Sequence, residues 1–389
     1  MSAVPSAGSI AMIERLIGFA TVSRDSNLVL IDWIRNYLQD LGVESQLVPD
    51  ETGRKANLYA TLGPRDRGGV LLSGHTDVVP IDGQEWHSDP FKLVTKDGRL
   101  YGRGTSDMKS FIAVILALTP EFLRRGLKTP IHLAFSYDEE VGCLGVRRLL
   151  QQLERMAVRP ASCIVGEPTE MQVIVAHKGK KSYRCEARGL ECHSSLTHLG
   201  VNAVEAAAEL VALLKRMARR HRDQGPFDPA FAPPYTSIHT GTIQGGTALN
   251  IVPKDCNFEF EFRYLPGEDP DALFREVDDF ARTVLEPEMH RVSPDTGIKF
   301  VSLSEIVGLS TDEGADIASL AKALAESNTA SKVSFGTEAG LFQQAGIPTI
   351  VCGPGSIEQA HKPDEWISLE QVALCEAFLH RLMDRVCLA

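Results

Sequence analysis

The chain has 389 residues, 43% of them hydrophobic and 23% charged, a balance that belongs to globular proteins and excludes a disordered chain. A formal net charge of -11 argues against nucleic acid as a partner, since phosphate recognition needs clustered Lys and Arg, and it agrees with a cationic substrate. The amino terminus lacks a basic segment followed by a long apolar core, and no apolar run reaches bilayer length, so a cytoplasmic protein with no membrane partner is expected.

This length exceeds one ordinary hydrophobic core, so two domains are expected. The eight cysteines are dispersed without a C-x-x-C pair, which fits reduced thiols and not a thiolate metal site. In chain order, Ile10–Phe19 reads as a short helix. Leu30, Ile34, Tyr37, Leu38 and Leu41 recur at helical spacing within Leu28–Leu41, and Gly42 stops that helix. Val43–Val48 and Leu58–Leu62 read as strands, and Gly63-Pro64-Arg65-Asp66 turns the chain into a third. That third strand, Val70-Leu71-Leu72, is a buried run expected to stop at Gly74 and deliver His75 and Asp77. Residues two apart in extended backbone share a face, so imidazole and carboxylate point the same way, a pairing common at metals.

Lys96-Asp97-Gly98 predicts a hairpin turn, and Gly102-Arg103-Gly104-Thr105-Ser106-Asp107 opens a helix from Met108 to Leu118, with Pro120 near its end. This glycine loop lacks the third glycine of a dinucleotide fingerprint and the Lys-Ser/Thr of a phosphate loop, which argues against a nucleotide cradle. Asp107 reads either as a helix cap or as a carboxylate presented to a site. The strand Ile131–Ser136 ends in Asp138-Glu139-Glu140, and a helix follows over Val146–Met156. The strand Ala161–Val165 ends in Gly166-Glu167-Pro168. Thr349–Cys352 runs into Gly353-Pro354-Gly355, with His361 just beyond. Four apolar strands thus each end near a His, Asp or Glu, which is where open α/β sheets place their ligands.

His75, Asp107, Glu140, Glu167 and His361 pool two imidazoles with three carboxylates and no thiolate, a set suited to Zn²⁺ or Co²⁺. They exceed the needs of one tetrahedral ion, and two ions require a shared carboxylate. The adjacent Glu139 is then free to act as a base.

Between 178 and 307 the character changes. Strand (Lys181–Arg188), helix (Val201–Met217), strands (Thr236–Thr242 and Cys256–Tyr264), helix (Pro270–Leu285) and strand (Ile298–Ile306) predict a two-layer α+β unit inserted into an α/β domain formed by 1–177 and 308–389.

Gly74-His75-Thr76-Asp77, Gly102-Arg103-Gly104-x-x-Asp107-Met108-Lys109, Asp138-Glu139-Glu140-x-Gly142 and Gly166-Glu167-Pro168-Thr169 together resemble the dizinc aminoacylase/carboxypeptidase family. The tail, Gly336-Thr337-Glu338-Ala339 with Gly353-Pro354-Gly355 through His361-Lys362-Pro363-Asp364-Glu365, is similar to its branch that deacetylates a basic amino acid in arginine biosynthesis. The resemblance implies a zinc-hydrolase catalytic domain, with a central mixed sheet flanked by helices, and an inserted lid that also forms a homodimer. It implies two Zn²⁺ ions, with Co²⁺ as a substitute. His75, Asp107 and Glu167 would hold one; Asp107, Glu140 and His361 would hold the other, with Asp107 bridging.

On the same resemblance, Asp77 orients His75 and Glu139 is the general base. His193 reaches the reacting amide, Asn250 and Arg263 grip the substrate carboxylate, and Thr337 and Gly355 add backbone donors. By sequence alone His193 reads as a capping or loop residue, and Arg263 as a surface ion pair. Glu338, Glu358 and Glu365 are expected to contact a substrate ammonium. The expected reaction is hydrolysis of a small N-acyl amino acid. Desuccinylation, general aminoacylase and dipeptidase activities share that chemistry, and a catalytically silent amino-acid or metal binder is the reading from another class.

Overall fold

A computed structural model describes residues 4–387. The chain separates into two compact units. One comprises the chain up to Ala176, Leu309–Lys332 and the chain from Thr337; the other comprises His177–Gly308 and Val333–Gly336.

The first unit is built on a mixed sheet, nine-stranded among the described residues. Its main order is Ser45–Pro49, Ala56–Leu62, Ile131–Ser136, Val70–His75, Ser162–Pro168, Thr349–Gly353, Ile174–His177 and Leu309–Ser310. Every residue of Val70–His75 and Ile131–Ser136 is buried, as expected where helices cover both faces of a sheet. Val70–His75 lies between Ile131–Ser136 and Ser162–Pro168 and runs parallel to both, and Thr349–Gly353 extends the parallel set. Parallel strands place their carboxyl ends on one edge, so residues far apart in sequence are delivered to the same place.

The strand carrying His75 does not stop at Gly74 but continues through it. A Cβ at Gly74 would lie 2.7 Å from Met108 Cε, and one at Gly166 would lie 2.0 Å from the Phe111 ring. These glycines therefore permit the close approach of the helix Lys109–Arg125 to the strands that carry His75 and Glu167. That helix also outruns its expected end, continuing through Pro120 to Arg125. Proline removes the N–H that would bond Leu116 C=O, and the Tyr37 hydroxyl donates to that carbonyl at 3.0 Å instead.

The second unit is an antiparallel four-stranded sheet, ordered Ser237–Gly245, Asp255–Tyr264, Gly179–Arg188 and Gly297–Ile306. Along Asp255–Tyr264, Cys256, Phe258, Phe260, Phe262 and Tyr264 are buried in strict alternation, and the helices Ala203–Gln224 and Pro270–Phe280 pack against this sheet. The first of these starts two residues later than the expected Val201, where Asn202 Oδ1 accepts from the N–H groups of Val204 and Glu205. The second widens into a π-helical turn over Ala281–Leu285 before resuming as Glu286–His290. No helix among the described residues is long and apolar enough to cross a membrane.

Candidate metal centre

Four side chains from the carboxyl edge of the parallel strands and the loops beyond them meet around Asp107. His75 ends the central strand, Glu140 follows Ile131–Ser136, Glu167 lies within Ser162–Pro168, and His361 sits in the loop beyond Thr349–Gly353. Asp107 closes the glycine loop ahead of the helix Lys109–Arg125. His75 Nε2 is 3.0 Å from Asp107 Oδ1 and 3.7 Å from Glu167 Oε1. His361 Nε2 is 3.2 Å from Asp107 Oδ2 and 3.0 Å from Glu140 Oε2. Each oxygen of the one carboxylate thus faces a different imidazole.

Donor atoms of His75, Asp107 and Glu140 lie within 4.8 Å of one another, and so do those of His75, Glu139 and Glu167. Asp77 stands behind His75. Its backbone carbonyl meets His75 Nδ1 at 2.9 Å, closer than its carboxylate at 3.6 Å. The Asp77 carboxylate accepts from Ser23 Oγ (2.7 Å) and the Glu139 N–H (3.2 Å), which ties the His75 strand to the acidic turn. Cys143 Sγ, 3.4 Å from Glu139 Oε1, donates to that carboxylate.

The electrostatics of the cluster are those of carboxylates facing one another. Burial pushes Glu139 up to about 8, and burial with the Asp107 charge pushes Glu140 up to about 7. The same two causes hold Glu167 well above the carboxylate range. Burial also acts to raise Asp107, but hydrogen bonds from His361 and His75 hold it below its ordinary value. Burial opposes a charged His75, yet the Glu167 charge and the Asp107 hydrogen bond outweigh it and raise that imidazole well above normal. Hydrogen bonds to Asp107 and Glu140 raise His361 to about 10.

Carboxylates crowded together in this way call for neighbouring positive charge, which divalent cations would supply. Glu167 Oε1 is buried and makes no hydrogen bond among the described residues, and the donor set is oxygen and nitrogen only. The residues present therefore fit hard or borderline divalent ions.

The remaining sequence-predicted residues have more local roles. His193 is exposed and caps the turn Ser194–Leu199, its Nδ1 accepting from the Ser195 N–H at 3.1 Å. Asn250 is exposed, and its carbonyl accepts from the Ser194 N–H at 3.0 Å, so these two segments of the second unit are neighbours. Arg263 Nε pairs with Glu261 Oε1 at 2.8 Å. Thr337 is buried, and its hydroxyl accepts from the Ala339 N–H. Gly355, expected to offer its N–H to substrate, commits it to Gln371 Oε1 at 3.2 Å.

Two of the three carboxylates expected to meet a substrate ammonium are corrected. Glu338 is fully buried and accepts from Ser73 Oγ (2.6 Å) and Ser136 Oγ (2.8 Å). Glu365 is also buried, engaged by four donors from the glycine loop. Only Glu358 is exposed. Sequence reasoning missed Gln84, Arg103 and Ser23 as supports of the site. Arg103 did carry a signal, being a lone cation inside a glycine turn.

Parallel strands that bring two imidazoles and a group of buried carboxylates to one edge define an α/β protein with a candidate metal site. The comparisons specify which. Residues 71–385 match the family described as Peptidase family M20/M25/M40, whose members are metal-dependent. The chain is 38% identical to the acetylornithine deacetylase of Proteus mirabilis, covering 98% of this chain and 97% of that protein. It is 35% identical to that of Myxococcus xanthus, covering 97% of both. Its fold is similar to an M20 metallo-carboxypeptidase from Sulfolobus solfataricus (TM-score 0.77, 16% identity, 98% and 99% of the two chains). It is also similar to a Bacillus subtilis protein described as a dinuclear metal binding peptidase (TM-score 0.63, 17% identity, 97% of both). The chain belongs to the M20/M25/M40 family and is an amide hydrolase of that family acting on a small molecule.

Proposed function

We propose that this protein is a zinc-dependent N-deacetylase that converts N2-acetyl-L-ornithine and water to L-ornithine and acetate, in the arginine biosynthetic route. The observation that carries the reading is Asp107, with Oδ1 toward His75 and Oδ2 toward His361. His75, Asp107 and Glu167 would hold one ion; Asp107, Glu140 and His361 would hold the other. The full-length relatives bearing the acetylornithine deacetylase name support the substrate.

When bound, the metal pair lowers the pKa of water and polarises the amide carbonyl. Glu139 takes the proton of the attacking water and delivers it to the departing nitrogen, because an amide anion will not leave. Asp77 orients His75 and holds the backbone of the Glu139 turn. His193 donates to the developing oxyanion, Asn250 and Arg263 hold the substrate carboxylate, and the Thr337 turn adds a backbone donor. Glu358 meets the ornithine ammonium. The reading includes a cytoplasmic location and a homodimer formed through the second unit.

The test is metal content together with turnover of N2-acetyl-L-ornithine, N-succinyl-diaminopimelate, a neutral N-acetyl amino acid and a dipeptide. Two zinc or cobalt ions per chain and the highest kcat/KM on acetylornithine are expected. A tenfold preference for any other substrate overturns the assignment, and bound metal with no turnover makes the protein a silent binder.

A further inference from the structure

The glycine loop that carries Asp107 and the tail loop that carries His361 are joined by a hydrogen-bonded chain separate from the metal-binding side chains. Glu365, four positions after His361, is almost fully buried. Its Oε1 accepts from the N–H groups of Ser106 (2.8 Å) and Asp107 (3.0 Å). Its Oε2 accepts from the Gly104 N–H (3.0 Å) and from Arg103 Nη1 (2.8 Å). The Glu365 carbonyl accepts from the Gly102 N–H at 2.9 Å, so backbone and side chain grip the same loop at both ends.

Arg103 is equally buried and continues the chain. Its Nη1 reaches Lys362 C=O at 3.3 Å and its Nη2 donates to Gln84 Oε1 at 2.6 Å, with the guanidinium 5.0 Å from the Trp86 ring centroid. Gln84 Nε2 then donates to the His361 carbonyl at 2.9 Å. His361 needs such a hold, because its φ of 63° is a left-handed conformation that side chains other than glycine rarely adopt.

We propose that Glu365, Arg103 and Gln84 are positioning residues that set the spacing of Asp107 and His361, and so the affinity of the metal position those two share with Glu140. The inference rests on the two-ion reading above. The other position has independent support, since His75 and Glu167 are held by strands of the central sheet. The bracket therefore acts unequally. Gln84 reaches the His361 carbonyl directly and the Asp107 loop only through the Arg103 side chain, whereas Glu365 also fixes the backbone of the shared Asp107. Outer partners of metal ligands are worth about 10–100-fold in affinity, which sets the scale.

The experiment titrates metal-stripped full-length protein with Zn²⁺ against a chromophoric chelator, for wild type, Gln84→Glu and Glu365→Gln, alongside the Tm of the metal-free proteins. Gln84→Glu keeps the acceptor for Arg103 and replaces the donor to the His361 carbonyl with a charged oxygen that repels it. A weakening of one of two Zn²⁺ equivalents by about tenfold is expected, with the other equivalent and the metal-free Tm unchanged. Glu365→Gln turns an amide group toward N–H donors and is expected to weaken the same equivalent by up to about 100-fold, with a smaller effect on the other. Wild-type affinities in Gln84→Glu overturn the proposal. So does an equal loss of both equivalents with a lowered metal-free Tm, which marks a folding role. Wild type that binds fewer than two ions overturns the two-ion reading itself, an outcome visible before either variant is measured.

Discussion

The two sides of Asp107 are built on opposite principles. On one side His75 ends a fully buried strand with its side chain 1% exposed; on the other His361 lies in a loop with its side chain 53% exposed. The first imidazole is aimed by the sheet and by the Asp77 carbonyl, the second by hydrogen bonds between loops. Their surroundings follow suit, with Glu338 buried beneath the His75 strand and Glu358 exposed on the His361 loop. The difference teaches that a site with matched ligands need not be symmetric. One half is set in the buried core, and the other half is open to solvent and set by contacts between loops.

The largest expected effect removes what the halves share. Asp107→Ala should abolish binding at both positions and lower activity by more than about a thousandfold. Metal analysis that still finds two ions would break the view of Asp107 as the common member. Glu139→Gln should retain both ions while kcat falls by about 10²–10⁴, and full activity in that variant would remove Glu139 as the base.

Chelation separates the halves directly. The ion beside solvent-accessible His361 should leave first and the one beside His75 later, giving two phases in metal release followed by mass spectrometry; a single phase would erase the asymmetry. The smallest effects contrast the two outlying glutamates. Glu358→Lys should raise KM for acetylornithine about tenfold, equivalent to about 1.4 kcal/mol, with no change in Tm. Glu338→Ala should cost about 1–3 kcal/mol of stability by stranding two buried serine hydroxyls, with KM unmoved. The opposite pattern, a KM effect from Glu338 alone, would reverse which side meets the substrate cation.

Much of this was legible because it is local. The apolar runs that end at His75, Glu140 and Glu167 mark strands whose polar termini need a purpose, and the central sheet follows from them. The alternation Cys256, Phe258, Phe260, Phe262 and Tyr264 likewise marks a strand with one covered face. Element ends were less legible. The helix through Pro120 outlives its proline because Tyr37, distant in sequence, supplies the missing donor to Leu116. Glu338, Glu358 and Glu365 are alike as letters, yet one sits on two serines, one faces water and one is wrapped by a loop.

The sequence by itself determined which ligand types the chain owns, the order in which strands present them and the family they resemble. Those properties are set by periodicity and residue chemistry, which act over a few neighbours. Only the tertiary structure decided which carboxylates reach solvent, that each oxygen of Asp107 faces its own imidazole, and that Glu365 grips the Asp107 backbone from 258 positions away. Burial and hydrogen-bond partnership across such separations depend on how the parallel sheet stacks its strand ends and on which loops then share that edge, and no local pattern encodes them.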